Sequence, residues 1–101
     1  MHCLSELLFN EAARDEHLEH VAYYESCQIG LGARYLLAFD IAMKAVSESP
    51  ERYRIELPPS IRKFRVPGFP FNILYRTVGS DIEVLVVAPH RRRPGYWVSR
   101  I

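Results

Sequence analysis

Long apolar runs are missing from this chain. No stretch of its 101 residues approaches the roughly 18 that a membrane span requires, so no bilayer partner is expected. Cysteine is scarce as well. Cys3 and Cys27 show no metal-type spacing and follow no secretory signal, which points to reduced thiols in a cytoplasmic protein. Gly30-Leu31-Gly32 lacks both the preceding strand and the third glycine of a dinucleotide-binding turn. Repeats and low-complexity tracts are absent too. What remains is one domain, residues 1–101, whose 49% hydrophobic and 25% charged residues suit a globular protein with a buried core.

Basic residues are lacking in one half only. Up to Pro50 there are three (Arg14, Arg34, Lys44) against eight acidic ones; beyond it, ten stand against four. Either the halves neutralise each other across the fold, or the second half meets an acidic or polyanionic partner.

Leu4, Leu7, Leu8 and Phe9 make a short apolar run that reads as a strand from Cys3 to Phe9. Asn10 then offers a helix cap and Glu11 a charge suited to the first turn. A helix is expected to about Cys27, with Ala13, Leu18, Val21, Ala22 and Tyr24 on one side and Arg14, Asp15, Glu16 and Glu19 on another. After the glycine turn, Tyr35, Leu36, Phe39, Ala42, Met43 and Val46 recur at helical spacing until Pro50. The two helices form an antiparallel hairpin.

Pro50 to Pro59 reads as an aperiodic connector. A strand is expected at Ile61–Val66, with Lys63 and Arg65 on one face and Phe64 and Val66 on the other. Phe69–Thr77 follows the Pro67-Gly68 turn, and Ile82–Ala88 follows Val78–Asp81. This last strand is apolar on both faces, as a central strand buried from both sides would be. If Leu85 and Val87 face away from the hairpin, either the chain ends or a partner must cover them. The fold class is therefore α+β: a short N-terminal strand, a two-helix hairpin, then a three- to four-stranded, mainly antiparallel sheet.

His17 and His20 lie one helical turn apart, a spacing that can chelate a metal. No third ligand is near in sequence, so a solvated helix face is the preferred reading and no metal is expected. Lys63 and Arg65 suit phosphates or an acidic peptide as well as they suit a solvated strand face. Arg76 is open to the same two readings. The densest chemistry lies between Ala88 and Trp97, where His90, Arg91, Arg92 and Arg93 are followed by Tyr96 and the only tryptophan, Trp97. Three guanidinium forks suit anions, the imidazole titrates near neutrality, and the aromatic rings can stack on a base or anchor a partner. The plainer reading makes the aromatics a plug for the core.

Val21-Ala22-Tyr23-Tyr24-Glu25 followed by Gly30-Leu31-Gly32-Ala33-Arg34-Tyr35 resembles the helical hairpin of ParE-like toxins. These belong to the RelE/ParE superfamily of bacterial type II toxin–antitoxin, or plasmid-stabilisation, systems. Ile61-Arg62-Lys63-Phe64, Phe69-Pro70-Phe71, Leu74-Tyr75-Arg76 and His90 to Trp97 resemble its later strands and tail. The resemblance spans nearly the whole chain in order. It implies one of two activities, neither needing a cofactor: inhibition of DNA gyrase, as in ParE-type toxins, or metal-independent mRNA cleavage on the ribosome, as in RelE-type toxins.

For cleavage, the resemblance implies Lys63, Arg65, Arg92 and His90 or Tyr96 as the chemical groups. An expected cationic position is occupied by Asn72, and the overall charge is low for a ribosome-binding protein. The ParE-type reading is therefore preferred, with Arg76, Arg91, Arg92, Arg93, Tyr96 and Trp97 meeting the target. A ParD-like antitoxin would lie against Tyr24, Tyr35, Phe39, Leu85 and Val87. A folded but inactive toxin remnant is the third reading.

Overall fold

In the computed structural model, residues 7–89 and 96–100 are described. Strand β1 (Leu7–Phe9) leads into helices α1 (Glu11–Cys27) and α2 (Leu31–Glu48). Strands β2 (Ile55–Leu57), β3 (Ile61–Arg65), β4 (Phe71–Val78) and β5 (Asp81–Pro89) follow, and a short 3-10 turn (Val98–Arg100) ends the described chain. The strands form one sheet in the order β1-β5-β4-β3-β2, antiparallel throughout except for the parallel pair of β1 and β5. This is the α+β arrangement expected from the sequence. The expected strand at Cys3–Phe9 is seen from Leu7 onward; its first residues lie outside the described ones.

Helix α1 starts where its cap predicts, because the Asn10 side chain accepts from the Ala12 and Ala13 amides at 3.0 and 3.4 Å. Gly30 makes the turn into α2 with a left-handed φ of 89°, a conformation that favours glycine. Having no side chain, it cannot cap the helix itself. The Glu25 carboxylate does so from α1, accepting from the Gly30 and Gly32 amides at 3.0–3.2 Å. Gly32 is needed for a different reason: a Cβ there would sit 2.9 Å from the Val21 carbonyl oxygen. The hairpin closes only because that position is bare.

Three expectations change. Ile55–Leu57, read as part of a connector, is a three-residue edge strand paired with β3, and Tyr53 beside it packs on the core. On α1, Leu18 is 53% exposed, while Glu16, His17 and His20 turn toward the sheet. The inward stripe of this helix thus carries polar groups, which is why its pattern misled. Leu36, placed in the stripe of α2, is 37% exposed.

A further expectation, the third beside those for the connector and for the two helix stripes, changes in β5. Tyr75 pairs with Val84 and Leu74 with Val86, so Leu85 is the extra residue of a β-bulge. The bulge breaks strict alternation. Ile82, Val84 and Val87 enter the core beneath the helices with Tyr35, Phe39, Ile73 and Tyr75, whereas Leu85 and Val86 enter a smaller cluster on the opposite face. Val87 therefore does not share the face of Leu85. The opposite face is covered by the chain's own end: Trp97, 6% exposed, packs with Ile61, Leu74, Leu85, Val86 and Ala88.

Candidate functional site

Of the residues expected to carry function, Lys63, Arg65, Arg76, Tyr96 and Trp97 lie on the sheet face away from the helices or at its edge along β5. Cross-strand pairing places Arg65 opposite Asn72 and Asn72 opposite Ala88, with Lys63 opposite Leu74. Paired residues share a face, so Lys63, Arg65 and Asn72 flank the apolar cluster that Trp97 covers. Lys63 pairs with Glu56 at 3.3 Å, and Arg65 is exposed. An open depression of about 530 Å³ beside Arg65 is walled by the Val66–Pro70 turn. Arg76 Nε donates to Glu83 Oε1 at 2.8 Å across the β4–β5 pair.

Strand β1 protects the edge of β5 only as far as Val84, whose carbonyl accepts from the Asn10 amide at 2.9 Å. Beyond it the backbone would be orphaned, and an orphaned buried amide or carbonyl is costly. Side chains take over from the absent strand. The Val87 N–H donates to Glu16 Oε1 at 3.0 Å, the Val87 carbonyl accepts from His20 Nε2–H at 2.9 Å, and the Leu85 carbonyl accepts from Arg100 Nη1 at 2.9 Å.

Glu16 gathers the chain's end at the same place. Arg100 forks onto it, Nη1 to Oε1 at 3.0 Å and Nη2 to Oε2 at 2.9 Å, and the Tyr96 hydroxyl donates to Oε2 at 2.7 Å. The Arg100 guanidinium also lies 5.2 Å from the centre of the Tyr96 ring, a cation–π contact. Burial alone would push the Glu16 carboxyl up. The hydrogen bonds from Arg100, Tyr96 and the Val87 amide outweigh that and hold it below the ordinary carboxylate value. Arg100 is raised in turn, first by its hydrogen bond to Glu16.

His17 lies deeper, 4.1 Å from Phe39 between ring centres and 5.6 Å from Phe9. Its Nδ1 shares a 2.9 Å hydrogen bond with the Tyr35 hydroxyl. Burial lowers the His17 pKa and raises that of Tyr35, so both stay neutral. The solvated-face reading of His17 and His20 therefore fails, since both rings are committed within the fold. Among the described residues no three His, Cys, Asp or Glu side chains group as a metal site would require.

Of the residues singled out from sequence, Lys63, Arg65, Arg76, Tyr96 and Trp97 lie on the tail-covered side or at its edge. His90, Arg91, Arg92 and Arg93 lie outside the described residues. Tyr35, Phe39, Leu85 and Val87 are at most 2% exposed, while Tyr24 is half-buried against the core. Sequence reasoning missed Glu16 and Arg100. A carboxylate at an inward helical position is the only local signal, and its partners lie 71 to 84 positions away.

The family model described as "ParE toxin of type II toxin-antitoxin system, parDE" matches residues 7–94. Among solved structures, a chain of the chromosomal ParDE toxin–antitoxin system from P. aeruginosa is similar at a TM-score of 0.68. It is 16% identical, over 85% of this chain and 96% of that one. The isolated E. coli RelE toxin is similar at a TM-score of 0.59, with 20% identity over 94% of each chain. No curated protein sequence matches.

Proposed function

The chain belongs to the ParE toxin family of type II toxin–antitoxin systems, and from that premise we propose that it is a cytoplasmic, non-enzymatic inhibitor of DNA gyrase silenced by a cognate antitoxin. The observation that carries the reading is the family match over residues 7–94. A binding role is favoured over mRNA cleavage by two details. The Tyr96 hydroxyl donates to Glu16, on the far side of β5 from β3, where Lys63 and Arg65 stand. Asn72, opposite Arg65, is neutral where a cleavage site would need another cation.

On this reading the target meets Arg76, Tyr96 and Trp97 on the tail-covered side of the sheet; Arg91, Arg92 and Arg93, expected to meet it as well, lie outside the described residues. The antitoxin, ParD-like, contacts the helical hairpin. Of the five residues expected to meet it, Tyr24 borders the surface, Tyr35, Phe39 and Val87 lie in the core beneath the hairpin, and Leu85 lies on the opposite face of the sheet, away from that contact.

A side-by-side assay decides the matter. Purified toxin is added to gyrase with relaxed plasmid and, separately, to a translating extract. Inhibition of supercoiling with an intact message is the expected result, and added antitoxin should restore supercoiling. Codon-phased mRNA cleavage with normal supercoiling would establish the ribonuclease reading instead. No effect in either assay, and no growth arrest on induction, would mark a folded but inactive toxin.

A further inference from the structure

We propose that Glu16 is a positioning residue of this toxin, a single carboxylate that holds the C-terminal segment in the place from which it acts. The inference rests on the reading that this segment belongs to the target-contacting face. Its geometry stands independently. Three elements meet on the two oxygens of Glu16: β5 through the Val87 amide, the segment after it through the Tyr96 hydroxyl, and the final turn through Arg100. Arg100 in turn holds the Leu85 carbonyl at the bulge. The point where β5 ends and the point where Tyr96 begins are thus tied to one side chain of α1.

Packing alone does not account for a carboxylate here. The position faces the sheet, where removing a charge from water is costly and an apolar residue of similar size is often as stable or more so. An apolar residue would also leave the Val87 amide without its acceptor, Arg100 without its counter-charge, and the Tyr96 hydroxyl without the carboxylate that accepts from it. With Glu16, four donors converge on one acceptor group, and Trp97 is carried onto Ile61, Leu74 and Val86 as a consequence. The carboxylate closes the sheet edge and docks the tail in a single step.

Trp97 is the only tryptophan, so its fluorescence reports docking directly. The test compares the full-length toxin with Glu16→Gln, which keeps the shape and removes the charge. Four quantities are read: acrylamide quenching of Trp97, hydrogen exchange at the Val87 amide and at α2, antitoxin affinity, and growth arrest on induction, which does not depend on which target is hit. The expected result is at least a twofold rise in quenching and faster exchange at Val87, with protection in α2 retained. Antitoxin affinity should stay within threefold while growth arrest weakens at least tenfold.

If Glu16→Gln does not fold, Arg100→Lys opens the same contact from the other partner and is read in the same way. Rescue by Glu16→Asp should be partial, because the shorter carboxylate still carries the charge. The proposal is overturned if Trp97 stays shielded in the variants, or if it becomes exposed while growth arrest is unchanged. Should the wild-type protein arrest growth without touching gyrase, the target assignment fails while the Glu16 comparison still stands. Should it arrest nothing, the toxin reading and the activity half of this inference fail together, and quenching alone decides the docking half.

Discussion

The two faces of the sheet are covered in different ways. Under the helices lies a core in which Tyr35, Phe39, Phe71, Ile73 and Tyr75 are at most 2% exposed, with the Tyr35 ring 6.3 Å from Phe39 and 5.0 Å from Phe71. On the other face Trp97 closes over Ile61, Leu74, Leu85, Val86 and Ala88, with Tyr96 packed beside them, and the segment bearing both rings is fastened by hydrogen bonds to Glu16. Packing holds the first face, and it cannot be removed without unfolding the chain. The second is held by the packing of Trp97 together with the polar contacts to Glu16.

The largest expected effect lies on the helix side. Phe39→Ala should cost about 3–5 kcal/mol, a large share of the roughly 5–15 kcal/mol that stabilises a domain of this size. Urea denaturation would measure it. A cost below about 1 kcal/mol would mean that the aromatic core is not the main support, and the comparison would break.

Acid should separate the two faces. His17 has a folded pKa below its ordinary 6.5, so its contribution is complete above that value and is lost as pH falls through the depressed folded pKa. Glu16 behaves in the same direction from its ordinary 4.5, and its contribution is lost only at still lower pH. The helix side should therefore begin to weaken first, with Trp97 quenching changing in the lower window. His17→Asn, which can still bond Tyr35, should flatten the upper window. An upper window unchanged by that substitution would assign it to another group.

The smallest effect is expected at Arg76. Its pair with Glu83 is partly exposed, so Arg76→Gln should cost about 0.2–1 kcal/mol, read as a small shift in the urea midpoint. A loss several times larger would show that the tail-covered face leans on this pair more than on Trp97.

The order of elements was legible because it is local. Asn10 caps, Gly30 turns, and the Tyr35–Val46 spacing is helical whatever surrounds it. Three features were hidden because they are made by distant partners. Ile55-Glu56-Leu57 is a strand only because Arg62 and Ile61 lie beside it. The bulge at Leu85 depends on its register with β4, and strict alternation assigns Val87 to the wrong face. Glu16 reads as an outward charge until Arg100 and Tyr96 arrive from the end of the chain. The resemblance found the family, whereas the means of holding the tail required the fold.

The central claim is that the tail-covered face does the work and the helix side supports it. Gyrase supercoiling with equal amounts of folded wild-type and Trp97→Ala protein tests it most directly, with antitoxin binding as the check on folding. The account predicts inhibition by the wild type and little by Trp97→Ala, although both bind antitoxin. Equal inhibition by the two proteins would contradict it.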